Sequence, residues 1–216
     1  MIVWGIVVAA GAGQRFGSPK QFAPLGSRRV IDWAVEAAGS VCEAVVAVLA
    51  PGQLDRYGEG GPPVDCLVEG GATRSASVRA GLARLPANTE IIVVHDAARP
   101  LATPALFRAV IAAVHAGADA AIPGVPVRDT VKRVAGGLVL TTVERADLVA
   151  VQTPQAFRAD ALRAAHATAP EATDDAALVE AAGGKVVVVA GEAANLKLTD
   201  AQDLVLARAL VAERHE

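Results

Sequence analysis

The stretch that decides the fold is at the start of the chain, where residues 2–10 read IVWGIVVAA and residues 11–21 read GAGQRFGSPKQ. The first run is apolar throughout and predicts a buried β-strand. The second contains too much glycine for a helix and too few large side chains for a core, so it predicts a loop. Its glycines let successive backbone N–H groups converge on an anion, and Arg15 and Lys20 add two positive charges. A strand that feeds a phosphate-binding loop indicates a nucleotide site.

This loop does not fit either of the two common nucleotide-binding fingerprints. A dinucleotide-binding loop needs a third glycine where this chain has Phe16, and an acidic residue after the second strand, where residues 49–51 read LAP. A Walker A loop needs Gly-Lys-Ser/Thr, which does not follow at the required spacing. A tight turn that only starts a helix is the structural alternative, and the two basic residues weigh against it.

The remaining chain alternates strand-like and helix-like segments. Strands are predicted at residues 44–50, 65–69, 90–94, 120–123 and 185–190, and helices at 30–38, 76–85, 103–114, 159–166, 174–182 and 201–213. This alternation is typical of a three-layer, Rossmann-like α/β fold with a mainly parallel central sheet, in which ligands bind at the carboxyl ends of the strands. We predict a single domain over residues 1–216.

One segment, at about residues 125–151, breaks this alternation. Two β-rich runs, residues 129–134 and 138–143, are joined by Ala135-Gly136-Gly137. That pattern predicts a β-hairpin, and a hairpin inserted into an α/β domain is often an arm. The charge-rich segment 128–133 is compatible with a solvated edge that deters strand aggregation or with a binding role.

Composition excludes several classes of protein. A net charge of −3 and a pI of about 5.8 give no general basic field, so nucleic-acid binding is not expected. No apolar run is long enough for a transmembrane helix, and the apolar N-terminus lacks the basic region of a signal peptide. Cys42 and Cys66 have no spacing typical of a zinc site or a disulfide framework, which favours a cytoplasmic protein.

The segment His95-Asp96-Ala97-Ala98-Arg99-Pro100 follows a very apolar strand, so its side chains should emerge at the ligand edge of the sheet. A carboxylate at this place suits Mg²⁺, which takes one or two protein carboxylates together with phosphate oxygens. The alternative is that Asp96 caps the next turn and pairs with Arg99. His95 is interpreted as a packed, hydrogen-bonded residue and not as a ligand.

Taken together, these segments resemble the 2-C-methyl-D-erythritol 4-phosphate cytidylyltransferase family over nearly the whole chain. The motifs that carry the resemblance, in chain order, are residues 9–15, 19–21, 70–77, 95–100, 126–132, 145, 153–155, 173–174 and 195–197. The first loop is shared by many nucleotidyltransferases. The motifs His-Asp-Ala-Ala-Arg-Pro (95–100) and Pro-Val-Arg-Asp-Thr-Val-Lys (126–132) are much more specific.

The resemblance implies transfer of CMP from CTP to 2-C-methyl-D-erythritol 4-phosphate, with release of pyrophosphate, in non-mevalonate isoprenoid biosynthesis. It makes Arg15 and Lys20 the catalytic residues, which hold the triphosphate and stabilise the charge at the α-phosphorus. Asp96 is implied to lie near Mg²⁺. The implied nucleotide-binding residues are Ala9, Ala10, Gly11, Ala12, Gly13, Gly71, Ser77 and Asp96, of which Ala10, Gly71 and Ser77 read the cytosine.

The resemblance also implies how the polyol phosphate is bound. Thr130 and Arg145 belong to the arm that reaches into a partner subunit, so a homodimer with exchanged arms is expected. The implied substrate-binding residues are Arg99, Thr130, Arg145, Thr153 and Lys197.

Two departures from the family pattern stand out. Only residues 16–19 separate Arg15 from Lys20, a shorter spacer than is common in the family, and the reach of Lys20 onto the phosphates depends on it. Ala72 stands where the family often has a carboxylate or amide, so a base contact from that side chain is absent. A cytidylyltransferase for another polyol phosphate, such as ribitol 5-phosphate, and a non-catalytic binding module are the remaining alternatives.

Overall fold

The structure, a computed structural model, describes residues 1–11, 16, 19–58, 60–168 and 170–213. The strands are β1 (Val3–Ala9), β2 (Pro24–Leu25), β3 (Arg28–Arg29), β4 (Ala44–Leu49), β5 (Cys66–Glu69), β6 (Ile91–Asp96), β7 (Ala120–Pro126), β8 (Val131–Ala135), β9 (Leu138–Val143), β10 (Val149–Val151), β11 (Gln155–Arg158) and β12 (Val186–Ala190). The α-helices are α1 (Val30–Gly39), α2 (Leu54–Gly58), α3 (Arg74–Leu82), α4 (Pro104–His115), α5 (Ala159–His166), α6 (Asp175–Ala181) and α7 (Ala201–Glu213), and a 3-10 helix spans Lys20–Phe22.

Within the described residues, eight strands form the central sheet in the order β10-β7-β11-β6-β1-β4-β5, with β12 also paired to β7. The pairs β1/β4, β1/β6, β4/β5 and β7/β12 are parallel, whereas β11 runs antiparallel to both β6 and β7. The predicted α/β fold with a mainly parallel sheet is therefore confirmed. The assignment of residues 1–216 to one domain stays a prediction.

Helices cover both faces of this sheet because alternate residues of its strands are buried on opposite sides. On β1, Val7 packs in a cluster with Ile31 of α1 and Phe107 of α4. The neighbouring Ile6 packs on the other face, in a cluster that contains residues of α3, α5 and α6. A third, smaller cluster seats α7 against Leu25, Leu101 and Leu198.

The predicted hairpin is confirmed. Strands β8 and β9 pair with each other in a separate two-stranded sheet, and Gly136 and Gly137 at the turn have φ values of +54° and +80°. Positive φ at both central residues is the conformation that a two-residue hairpin turn requires. The structure places this arm outside the central sheet, between β7 and β10.

Helix α3 differs from its prediction at both ends. The helix predicted at 76–85 begins at Arg74, because the Thr73 side chain accepts a hydrogen bond from the Ala76 amide and caps the helix there, and it ends at Leu82. At α7, the capping residues are Asp200 and Asp203, each of which accepts from the backbone N–H of the other.

Candidate active site

A cavity of about 300 Å³ opens at the carboxyl ends of β1 and β6, the edge that the fold class predicts for a ligand. Among the described residues its wall comes from the end of β1, the turn between β5 and α3, the end of β6, the 3-10 helix and the segment before α7. The lining residues are Val8, Ala9, Ala10, Gly11, Lys20, Gln21, Gly71, Ala72, Thr73, Arg74, Ser77, Asp96, Ala97, Ala98 and Lys197. We call it the first cavity.

The first cavity brings together most of the residues that the sequence assigned to the nucleotide. Those that line it are Ala9, Ala10, Gly11, Gly71, Ser77 and Asp96. Three further predicted residues, Ala12, Gly13 and the catalytic Arg15, lie outside the described residues. The Ser77 hydroxyl donates to the Thr73 carbonyl at 2.9 Å, so its orientation is set by the first turn of α3.

Gly70 lets the turn after β5 approach the end of β1, and Gly71 lets the same turn approach α3. A Cβ atom at Gly70 would lie 2.6 Å from Cβ of Ala10 and 2.6 Å from Oγ of Ser77, and one at Gly71 would lie 2.5 Å from Cβ of Ala76. Such distances are well inside van der Waals contact. Glycine is therefore required here for close packing of the cavity wall.

Lys20 reaches the first cavity in spite of the short spacer that precedes it. It opens the 3-10 helix Lys20–Phe22, and its ammonium donates to the carbonyl of Leu198. The Phe22 ring anchors this short helix, with the Arg56 guanidinium 4.6 Å from the ring centroid. The ammonium of Lys20 thus lies beside the segment that carries Lys197.

Asp96, at the end of β6, holds two cationic side chains. Its Oδ1 accepts from Nε of Arg74 at 3.1 Å, and its Oδ2 accepts from Nζ of Lys197 at 2.7 Å. Burial alone would raise the pKa of the Asp96 carboxyl, but the charges of Arg74 and Lys197 outweigh it and hold that pKa well below its usual range. The alternative to a metal site at Asp96 was a pair with Arg99; the side chains that pair with it in the structure are Arg74 and Lys197.

A second cavity, of about 220 Å³, adjoins the first. Its lining residues are Arg74, Asp96, Arg99, Val151, Gln152, Thr153, Gln155, Thr173, Asp174 and Lys197. It contains three of the residues assigned to the polyol phosphate, namely Arg99, Thr153 and Lys197. Because Arg74, Asp96 and Lys197 line both cavities, they form the boundary between them.

His95 and Thr153 form a hydrogen-bonded chain behind this boundary. Nε2 of His95 lies 3.1 Å from the Arg99 carbonyl, which only accepts, so this nitrogen carries the proton. Nδ1 therefore accepts from the Thr153 hydroxyl at 3.1 Å, and that hydroxyl in turn accepts from the Asp96 amide at 3.0 Å. Burial lowers the pKa of His95 to about 4, so the ring is neutral at pH 7. This agrees with the interpretation of His95 as a packed, hydrogen-bonded residue.

Arg99 and the segment before α7 are braced by backbone carbonyls. The guanidinium of Arg99 donates to the carbonyl of Asn195 at 2.8 Å and to that of Val151 at 3.1 Å. Asn195 is itself fully buried and donates to the Thr153 carbonyl at 2.9 Å. These hydrogen bonds fix the backbone at Asn195, two residues before Lys197.

The structure does not bring the two arm residues, Thr130 and Arg145, into either cavity of the described chain. Both are exposed, and the Arg145 guanidinium donates to the carbonyl of Arg128 within the arm.

Sequence reasoning missed the ion pair between Arg74 and Asp175. Nη1 of Arg74 donates to Oδ2 of Asp175 at 2.7 Å. Burial alone would lower the pKa of Arg74, but the charges of Asp96 and Asp175 raise it above its usual value. The Asp174-Asp175 doublet marks a helix start, and Asp174 does cap α6, but nothing in the sequence shows that Asp175 turns inward.

Residues 3–213 match the sequence profile of the family described as IspD, 2-C-methyl-D-erythritol 4-phosphate cytidylyltransferase. The chain belongs to this family. A 2-C-methyl-D-erythritol 4-phosphate cytidylyltransferase from Nocardia farcinica is 44% identical over 229 residues, covering 98% of this chain and 95% of its own, and one from Rubrobacter xylanophilus is 43% identical, covering 97% and 94%.

Solved structures agree with this family membership. The 2-C-methyl-D-erythritol 4-phosphate cytidylyltransferase of Thermus thermophilus superimposes with a TM-score of 0.81 at 37% identity, covering 96% of this chain and 98% of its own. The 4-diphosphocytidyl-2C-methyl-D-erythritol synthase of Anaerococcus prevotii gives a TM-score of 0.84 at 28% identity, covering 98% of each chain.

Several relatives are longer proteins. The bifunctional enzyme IspD/IspF of Clavibacter michiganensis is 46% identical over 220 residues, which cover 96% of this chain but 54% of the relative. The chain therefore spans about half the length of the bifunctional relatives that it matches.

These comparisons confirm the family resemblance, the fold and the enzyme class, a nucleotidyltransferase, that were predicted from the sequence. The reaction predicted from the sequence is the one that the name of the family states. In the described parts of the chain, no helix combines the length and the apolar character needed to cross a bilayer.

Proposed function

We propose that this chain transfers CMP from CTP to 2-C-methyl-D-erythritol 4-phosphate and releases pyrophosphate. The observation that carries the proposal is the pair of adjoining cavities at the carboxyl edge of the sheet, which share Arg74, Asp96 and Lys197. A transferase that joins two anionic substrates needs two neighbouring sites and positive charge where they meet.

The first cavity is assigned to CTP. Small residues at its wall, including Ala10 and Gly71, would let a base approach the backbone of β1 and of the turn after β5. Lys20 places an ammonium in the same cavity, where it would neutralise part of the negative charge of a triphosphate. Arg15, outside the described residues, is proposed as the second triphosphate ligand because the glycine loop that carries it follows β1 directly.

The second cavity is assigned to the polyol phosphate. Arg99 and Lys197 line it, and the partner subunit's arm would add Thr130 and Arg145. An oxygen of the acceptor phosphate forms a bond to the α-phosphorus of CTP as the bond from that phosphorus to the bridging oxygen of pyrophosphate breaks. The phosphate oxygen is already anionic, so no general base takes part. Lys20, Arg15 and Lys197 stabilise the negative charge that develops between the two substrates.

Mg²⁺ is proposed as the cofactor. Within the described residues, no group of three or more His, Cys, Asp or Glu side chains is arranged to hold a metal. Asp96 nevertheless fits the ion, because Mg²⁺ often uses one carboxylate together with phosphate oxygens and water. Lys197 is the Asp96 partner that can give way, since 46% of its side chain is exposed. When bound, the ion would neutralise charge on the triphosphate.

A homodimer with exchanged arms is proposed as the working assembly. The arm exposes several large apolar side chains, including Val134, Leu138, Val139 and Leu140, which are 59–72% exposed in the single chain. Exposed apolar patches of this kind mark protein interaction sites. A second copy of the chain would cover them and would receive Thr130 and Arg145 at its second cavity.

Cytoplasmic location is also proposed, since Cys42 and Cys66 are both free thiols.

A screen of nucleoside triphosphates against methylerythritol, ribitol and glycerol phosphates, scored by pyrophosphate release with Mg²⁺ present, tests the proposal. We expect turnover with CTP and methylerythritol phosphate, and a loss of at least about a hundredfold in Lys20→Ala and in Arg15→Ala. Preference for ribitol phosphate would keep the reaction class and overturn the acceptor assignment. Binding of CTP without turnover on any acceptor would identify a binding module instead.

A further inference from the structure

Arg74 is held from two sides by carboxylates. Its Nε donates to Oδ1 of Asp96 at 3.1 Å, and its Nη1 donates to Oδ2 of Asp175 at 2.7 Å. Asp175, at the start of α6, is completely buried, and its Oδ1 accepts a further hydrogen bond from Nε2 of His166 at 3.0 Å. Three elements, α3, α5 and α6, are thereby connected to the end of β6.

We propose that Asp175, supported by His166, is a positioning residue that fixes Arg74 at the boundary between the two cavities. This inference rests on the proposed function, because it concerns the site where the two substrates would meet. Asp175 lines neither cavity within the described chain, so it acts through Arg74 and not on a substrate.

Stability alone does not require a charge at this place. A buried ion pair is costly to desolvate, and apolar residues of similar size often stabilise a fold as well or better. An arginine side chain has many rotamers, and two carboxylates on different edges of its planar guanidinium leave it one orientation. Nη2 of Arg74 is buried and has no hydrogen-bond partner among the described residues, so the two carboxylates set the orientation.

The orientation of Arg74 then determines the positions of the other two side chains that line both cavities, those of Asp96 and Lys197. Arg74 occupies Oδ1 of Asp96, which leaves Oδ2 for Lys197 at 2.7 Å. If Asp175 lost its charge, the guanidinium would be held by Asp96 alone and could turn about that contact, so Asp96 and Lys197 would lose a fixed neighbour. Because all three line both cavities, the change should affect catalysis with both substrates.

Asp175→Asn tests the proposal, because it keeps the size of the side chain and removes its charge. We expect kcat/KM for both CTP and the polyol phosphate to fall about a hundredfold, the scale on which a small misplacement reduces turnover. The matched control is Asp119→Asn. Asp119 pairs with Arg158 just before β7, at the opposite edge of the sheet, and its loss should leave kcat/KM within about twofold.

A purely structural role predicts a different result. Asp175→Asn would then lower Tm, while kcat/KM per folded molecule, measured at a temperature where circular dichroism shows both proteins folded, would match the wild type. That result overturns the proposal. If Asp175→Asn does not fold, His166→Phe and His166→Gln replace it: the first lacks a donor to Asp175 and should lose about tenfold, and the second keeps a donor and should recover most of that loss. Equal activity of the two would also overturn it.

A double-mutant cycle adds a second criterion. Lysine at position 74 cannot bridge two carboxylates with a planar fork, so Arg74→Lys should lose about as much as Asp175→Asn. If both act through one guanidinium, the double variant should lose little more than either single variant. Losses that multiply would show that Asp175 does not act through Arg74.

Failure of the proposed function can be told apart from failure of this inference. A wild-type protein that turns over no acceptor contradicts the proposed function, whereas a wild-type rate in Asp175→Asn contradicts the positioning role. The exchange rate of the Arg74 Nε–H proton, measured by ¹⁵N-edited NMR, reports whether the guanidinium is held in place, and this measurement requires no turnover. We expect at least tenfold faster exchange in Asp175→Asn than in Asp119→Asn, and equal rates would overturn the inference.

Discussion

The carboxylate of Asp96 and the ammonium of Lys197 lie 2.7 Å apart, although 101 positions separate them in the chain. Asp96 ends a buried strand, and Lys197 lies in the irregular segment between β12 and α7. Their contact closes the carboxyl edge of the sheet and places a positive charge between the two cavities.

Lys197→Met should reduce activity far more than stability. Its side chain is nearly half exposed, so loss of the pair with Asp96 should cost no more than about 1 kcal/mol in the free energy of unfolding. Removing a charge that lines both cavities should lower kcat by about a hundredfold or more. The control is Lys185→Met, an exposed lysine just before β12. Steady-state kinetics and urea denaturation of both variants check this, and similar kinetics for the two would contradict it.

Mixing two inactive variants tests the exchanged arm. If Arg145 acts in the partner's site, a heterodimer of Arg145→Ala and Lys197→Ala has one site in which both residues are intact. With random subunit exchange in an equal mixture, about a quarter of all sites should be active. Activity that does not rise on mixing, under conditions where labelled subunits are seen to exchange, would place Arg145 and Lys197 in the same subunit's site or outside any site.

Gly70→Ala should impair CTP binding selectively. The added methyl group would lie 2.6 Å from both Ala10 and Ser77, so the wall of the first cavity must shift. We expect a loss of about 1–3 kcal/mol in the free energy of unfolding and a rise of at least about tenfold in the KM for CTP. The acceptor KM should change little. Gly58→Ala is the control, because a Cβ at Gly58 meets nothing within 4 Å; an equal rise in both substrates' KM would argue against the assignment.

The buried neutral ring of His95 predicts loss of stability in mild acid. Its pKa falls from 6.5 to about 4 on burial, so between these values the unfolded chain binds a proton that the folded protein does not. The free energy of unfolding should therefore contain the full contribution of the neutral His95 ring above about pH 6.5. It should decrease by up to about 3 kcal/mol as the pH falls toward 4. Urea denaturation at pH 7 and pH 4.5 measures this decrease. It should be smaller by that amount in His95→Gln, and an unchanged pH dependence in that variant would refute the assignment.

Much of the fold could be predicted because local patterns decide it. The apolar run of β1, the Gly-Gly turn of the arm and the helix α5 each carry their signal within about ten residues. Strands β10 and β11 could not be predicted in this way. β10 has three residues, and β11 contains Gln155, a buried polar residue whose amide donates to Asp174. Their position in the sheet is decided by pairing with β7 and β6, which the sequence does not display.

Some residues of the candidate site could likewise be predicted from local patterns, and others could not. Gly11, Lys20 and Asp96 follow strands or lie in a glycine loop, so their place at the ligand edge follows from the order of elements. Lys197 follows no pattern, and only the family resemblance pointed to it. The pairing of Arg74 with Asp175, again 101 positions apart, depends on how α3 and α6 pack on one face of the sheet. Such contacts are products of tertiary structure and leave no local signal.

The pairing of Pro126 in β7 with Val149 in β10 has a consequence for how the acceptor specificity of this fold can change. The chain leaves the central sheet and returns to it at one point, so residues 127–148 form a self-contained insertion. Its length and sequence can vary without altering the register of any core strand. Under the proposed function, exchange of this segment between relatives should therefore alter the preference for the polyol phosphate, while the first cavity, built from β1, β5 and β6, stays unchanged.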